Sequence, residues 1–169
     1  LWGETHAQVR EITGRVNASA ARHGRTLRYS LSLRPILADT EEKAWAKADA
    51  ILAQARELAP KSGFLRNSAE PVNAGSQRLL AAAAQGTRLD KRLWTGMAAL
   101  TGAKGNSTAL VGTPEQVADA LLDYYDLGIS TFLIRGFDPL EDAIDYGRSL
   151  IPLTRELIAR KRPAIAAAA

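Results

Sequence analysis

Apolar residues recur at helical spacing through residues 4–22, where Val9, Ile12, Val16 and Ala20 are separated by charged and polar positions. The pattern predicts an amphipathic helix ended by Gly24, just after His23, a residue suited to a helix C-terminus. The period then shortens to two. Leu27, Tyr29, Leu31 and Leu33 alternate with Arg28, Ser30, Ser32 and Arg34, which predicts a strand with one apolar and one polar face. Asp39 or Thr40 opens a second helix, with Asp39 and Glu42 at capping-box spacing, and this helix is expected to run to about Leu58 and stop before Pro60.

Residues 60–106 lose this regularity. Gly, Ser, Asn and Pro recur, one short helix is expected around Ser76–Ala84, and no strong strand pattern stands out. A stretch of this length inside a compact domain reads as a lid-like insertion or mobile loop. Alternation then resumes with a strand at Ser107–Val111, a helix at Thr113–Leu127, a strand at Ser130–Arg135 and a long helix at Asp138–Arg160. The two helices open with Thr113-Pro114-Glu115-Gln116 and Asp138-Pro139-Leu140-Glu141, each an N-cap, a proline at the first helical position and an amide or acid at the third. Pro152 predicts a kink near Leu150, and residues 161–169 are expected to form a disordered tail. Leu1-Trp2 reads as the end of a further strand.

Short strands alternating with helices predict parallel βα units and an α/β fold. Three or four such units neither cover both faces of a parallel sheet nor close a barrel. The pattern therefore predicts half of a barrel, in one domain over residues 1–160. The start at Leu1 and the low-complexity end Ala166–Ala169 fit a piece of something longer.

Composition narrows the chemistry. The 169 residues contain no cysteine, which excludes a disulfide scaffold, a thiolate zinc site, an iron–sulfur cluster and a cysteine nucleophile. Two histidines are too few for a histidine-rich metal site, and no metal is expected. The net charge of +4 is spread rather than gathered into a basic stripe with interleaved aromatics, which argues against nucleic acid as a partner. No apolar run approaches the roughly 18 residues that span a bilayer, and the start lacks a signal-peptide pattern, so a cytoplasmic protein with no membrane partner is expected.

Thr108-Ala-Leu-Val-Gly-Thr-Pro-Glu and Leu127-Gly-Ile-Ser-Thr-Phe-Leu-Ile-Arg-Gly-Phe-Asp-Pro-Leu-Glu-Asp resemble the last two βα units of the bacterial-luciferase-like flavin monooxygenases, the alkanesulfonate monooxygenases above all. Leu1-Trp2-Gly3-Glu4 resembles the end of that family's fifth barrel strand. Leu27–Thr40 with Glu41-Glu42-Lys43-Ala44-Trp45 resembles the sixth strand and its helix, and Leu93-Trp94-Thr95-Gly96 the segment before the mobile loop. The resemblance covers most of this chain but only the C-terminal half of the family's domain. It implies a (β/α)8 TIM barrel that binds reduced FMN supplied by a separate NAD(P)H-dependent flavin reductase. It also implies use of O2 to oxidise an alkanesulfonate to an aldehyde and sulfite, in a homo-oligomer.

In a barrel the active groups sit at the C-terminal ends of strands. Arg34 ends its strand on the polar face, and Arg135 ends the last strand on the face of Thr131 and Leu133; each can bind an anion by charge-assisted hydrogen bonds, or form a structural ion pair. Gly136 allows close approach of backbone to a ligand. Phe137 stands where the sulfonate enzymes commonly have tyrosine and is read as pocket lining, and Ser32 with Arg34 replaces the family's usual Arg and His. Gly112 and Thr113 lie at a helix N-terminus that suits an anion, with Thr113 as a plain N-cap the simpler reading. In the loop Thr101–Asn106, Thr101 occupies the place of the family's arginine, so Lys104 is the cation that could close over an anionic ligand. Trp2 and Glu4 match pocket-lining positions. Two other readings remain open. One is a non-catalytic, truncated remnant of the family. The other is a related oxidoreductase acting on a sulfone, nitrilotriacetate or hydrocarbon, or a deazaflavin-dependent reductase.

Overall fold

A computed structural model describes residues 1–62, 71–105 and 107–166. Helix α1 (His6–Ala21) starts at Thr5, whose side chain and that of Gln8 form a reciprocal capping box. Strand β1 (Tyr29–Leu37) leads into α2 (Glu41–Ser62), where the Lys43 N–H donates to Thr40 Oγ1 at 3.2 Å. Helix α2 runs through Pro60 instead of stopping before it. So near the end, the proline costs only one backbone bond within the last turn.

Three parallel strands, β1, β4 (Ala109–Gly112) and β5 (Ile129–Ile134), form one side of a five-stranded sheet, with β5 at its edge. Between α2 and β4 the chain forms α3 (Ala74–Gln85), a hairpin of two-residue strands β2 (Arg88–Leu89) and β3 (Leu93–Trp94), and α4 (Gly96–Thr101). Of the expected lid, residues 60–62 belong to α2 and residues 71–105 form these elements. Strand β3 pairs antiparallel with β4, and Leu79, Leu93, Ala98 and Ala103 are fully buried. Residues 63–70 and 106 lie outside the described residues.

The sheet order is β2-β3-β4-β1-β5, so β5 lies beside β1 and not beside β4. The α/β class is as expected, but the strand order differs from that of a half-barrel, in which consecutive strands would be neighbours and every helix would pack on the outer face. Here the chain steps one way from β1 to β4 and returns past β1 to β5. Right-handed crossovers then place α2 and α5 (Pro114–Asp126) on opposite faces. On one face Leu31, Leu33, Leu110 and Ile129 pack with Val117, Leu121 and Tyr124 of α5. On the other, Ile36, Ala109 and Val111 pack with Ala44 and Ala48 of α2. The polar face of β1, expected to line a barrel interior, is therefore covered by α2 at its C-terminal end. It is open at the other end, where Ser30 and Thr131 are exposed and Leu133 is 58% exposed.

Pro35 fits in β1 because pairing with β5 ends at Leu33–Ile134 while pairing with β4 begins at Arg34. After β5 come α6 (Pro139–Asp145), a π-turn at Tyr146–Leu150 and α7 (Ile151–Ala166). The interruption expected near Leu150 is this widened turn, just before Pro152, which has no N–H to return to residue 148. Of the tail expected over residues 161–169, residues 161–166 continue the helix and Lys161 pairs with Asp126, while residues 167–169 lie outside the described residues. No helix among the described residues is long and apolar enough to cross a membrane.

Candidate functional site

The C-terminal ends of β1 and β5 bring together four of the residues singled out from sequence. Register pairs Leu33 with Ile134, so Arg34 and Arg135 are the next residues on two adjacent parallel strands and share a face. Arg34 is half-buried; its guanidinium donates to the Gly136 carbonyl at 2.6 Å and lies 5.1 Å from the centre of the Phe137 ring. Burial, and then the neighbouring Arg135 charge, lower the Arg34 proton affinity below its ordinary value. Arg135 is exposed and makes no ion pair among the described residues.

Asp142 organises the loop that carries this cluster. Its buried carboxylate accepts the N–H groups of Phe137 at 2.8 Å and Asp138 at 3.0 Å through one oxygen, and Lys47 Nζ at 3.1 Å through the other. The loop passes so close that a Cβ on Gly136 would sit 2.2 Å from Asp142 Cβ, which only glycine avoids. Phe137 packs edge-on against Trp94, with ring centres 6.3 Å apart. Beyond Phe137 opens a cavity of about 590 Å³, walled by Lys47, Ile51, Ala55 and Leu58 of α2 and Met97 of α4, with Asp138, Glu141 and Asp142 on its other side. Tyr146 donates to the Pro35 carbonyl beneath, and burial raises its phenol well above the ordinary tyrosine range, keeping it neutral.

The remaining expected residues lie elsewhere and have other partners. Thr113 is a cap: its N–H donates to Gln116 Oε1 at 3.0 Å and its hydroxyl to Glu115 at 2.7 Å. Glu41 reaches the same junction, accepting from Gln116 Nε2 at 2.9 Å, so negative charge already sits beside Gly112 and Thr113. Glu4 is buried in an ion pair with Arg78 at 2.7 Å, which ties the start of α1 to α3, and Trp2 packs against Gly75 and Leu79. Ser32 bridges to Trp2 along the edge of β1, and Lys104 follows α4 without lining the cavity. His6 donates its backbone N–H to Asp90 at 2.8 Å and sets its ring edge-on to Tyr124.

Sequence reasoning missed Lys47, Asp142 and Met97. An inward acid four residues after an N-cap aspartate and six after a glycine was a signal available for Asp142. Lys47 is 95 residues from its partner and carried none.

The profile of the luciferase-like monooxygenase family matches residues 1–131. The chain belongs to that family. Two solved structures share the fold with this luciferase-like chain. One is the riboflavin lyase RcaE, determined with modified FMN and its substrate riboflavin: 24% identity over 92% of this chain, with a TM-score of 0.64. The other is DmoA from Hyphomicrobium sulfonivorans, at 22% identity over 92% of this chain and a TM-score of 0.62. This chain covers 38% and 36% of those two chains.

Proposed function

We propose that the chain supplies the strand-end anion site of a two-component flavin-dependent monooxygenase. The reaction is oxidation of an alkanesulfonate with O2 to an aldehyde and sulfite, in a cytoplasmic homo-oligomer. One observation carries the reading: two guanidiniums, Arg34 and Arg135, are set side by side at the ends of adjacent parallel strands despite their mutual repulsion. An anion between them relieves that repulsion and accepts charge-assisted hydrogen bonds from both.

The same pair fits reduced FMN at its phosphate, with the Phe137 ring beside it as an apolar surface. When bound, reduced flavin, delivered by a separate NAD(P)H-dependent reductase, supplies the electrons that activate O2. The residues of this chain bind and orient. Arg34 is pre-positioned by Gly136 and Phe137, Arg135 reaches from solvent, and the Lys47–Asp142 pair holds the loop under both. Arg34→Ala or Arg135→Ala, in the natural polypeptide that carries this chain, is expected to lower sulfite release from sulfonates at least tenfold with FMN and a reductase present. Unchanged turnover in both variants overturns the assignment. A second reading, a family member acting on a substrate without a sulfonate, is favoured by the acidic residues around the cavity and by Phe137 in place of a tyrosine. A substrate panel separates the two.

A further inference from the structure

The cavity beyond Phe137 has a chemistry opposite to that of the arginine pair. Lys47, Ile51, Ala55 and Leu58 follow one another at helical spacing and form a single stripe on α2. Nearer the sheet the same side of the helix is fully buried at Ala44 and Ala48. Farther out nothing among the described residues closes over it, and Leu58 is 51% exposed. Met97 and Phe137 complete an apolar wall. A volume of about 590 Å³ lies within the roughly 300–1,000 Å³ of small-molecule sites.

Charge selects the occupant. Among the described residues Lys47 is the sole cation lining the cavity, against Asp138, Glu141 and Asp142. Asp142 already takes up the Lys47 charge and two backbone N–H groups. One oxygen of Asp138 accepts the N–H groups of Leu140 and Glu141. The Glu141 carboxylate makes no hydrogen bond or ion pair among the described residues. Arg34 lies over the Phe137 ring but does not line the cavity. An anion entering here meets excess negative charge beside an apolar wall, whereas a cation gains at the mouth while its apolar body covers Leu58 and Met97.

We propose that this cavity is a second ligand site, for a cationic amphiphile: a primary or quaternary ammonium on an apolar chain or ring. Its apolar body lies along Ile51, Ala55, Leu58, Met97 and Phe137, and its ammonium faces Glu141 and Asp138. The site does not depend on flavin or on the arginine pair.

The test titrates hexylammonium, hexane-1-sulfonate and hexan-1-ol into the protein by calorimetry at low and moderate salt. Hexylammonium is expected to bind at least tenfold more tightly than hexane-1-sulfonate, with the difference shrinking as salt rises. Glu141→Gln, an exposed change that spares the fold, is expected to weaken hexylammonium about fivefold and leave hexan-1-ol unchanged. Ala55→Trp, on the half-exposed wall, fills the cavity and abolishes binding of both. Equal binding of ammonium and sulfonate, no binding of hexylammonium, or binding untouched by both substitutions overturns the proposal.

Discussion

Two strand-to-helix junctions in this protein start from nearly the same local sequence and end with different chemistry. At the end of β4, Gly112-Thr113-Pro114-Glu115-Gln116 folds into a closed cap: Gln116 Oε1 accepts the Thr113 N–H, and Glu41 accepts from Gln116 at 2.9 Å and from Arg92 at 2.6 Å. At the end of β5, Gly136-Phe137-Asp138-Pro139 also reaches a capped, proline-led helix, but with an additional residue between glycine and cap. That residue, Phe137, has Arg34 against its ring and also lines the cavity. A glycine before Thr-Pro or Asp-Pro therefore does not mark a ligand site by itself. What matters is whether the neighbouring side chains close the junction or leave charge facing outward.

The comparison breaks most visibly at the glycines. A Cβ at 136 would meet Asp142 Cβ at 2.2 Å and its carboxylate carbon at 2.6 Å, next to the atoms that hold the loop. Gly136→Ala is expected to cost about 3 kcal/mol in urea unfolding, as overpacking with loss of the Asp142 bonds. Gly112→Ala meets Gln116 Oε1 at 2.9 Å, the far end of a flexible side chain, and Gln116 Cβ at 3.0 Å. It is expected to cost about 1 kcal/mol. Equal losses at the two positions contradict the claim that neighbouring atoms crowd Gly136 more closely than Gly112.

The residues that hold each junction rank the same way. Asp142→Ala leaves two partly buried N–H groups and the Lys47 ammonium without their acceptor, and is expected to cost about 2 kcal/mol. Gln116→Ala removes one capping-box partner from a half-exposed helix start, and is expected to cost about 1 kcal/mol. Amide exchange sharpens the contrast: Asp142→Ala is expected to speed exchange at Phe137 and Asp138, whereas Gln116→Ala speeds it at Thr113. An Asp142→Ala variant with unchanged exchange at Phe137 removes Asp142 from its role beneath Arg34.

Much of the local structure was legible because it is encoded in neighbouring residues. Period-2 alternation marked β1, Thr113 and Asp138 marked two caps, and Gly136 with Arg135 marked a strand end. The order of the strands was not legible. Whether β5 lies beside β4 or beside β1 depends on which face α5 packs against, and Val117, Leu121 and Tyr124 present the same apolar stripe either way. The hairpin of Arg88–Leu89 and Leu93–Trp94 escaped because two-residue strands are too short to show alternation. The site divided along the same line. Arg34, Arg135, Gly136 and Phe137 could be read from their places at strand ends, whereas Lys47 and Met97 reach the cavity only through packing between distant elements.

The smallest expected effect tests the closed junction through its charge. Hydrogen bonds from Arg92, then Gln116 and Trp45, hold the Glu41 carboxyl down at about 2, below the ordinary 4.5. A depressed carboxyl favours the folded state above its unfolded value and loses that contribution as it is protonated, here as pH falls from about 4.5 towards 2. Thermal unfolding of the wild type is therefore expected to lose melting temperature across that window more steeply than Glu41→Gln, with the two curves converging near its acid end. Because Glu41 lies at the surface, the difference is expected to be small and to shrink in 0.5 M salt, where the Debye length is only about 4 Å. Parallel melting curves down to the acid end, at low salt, mean that the Thr113–Gln116 cap holds this junction by neutral hydrogen bonds alone. The Glu41–Arg92 pair would then be no part of what distinguishes it from the junction after β5.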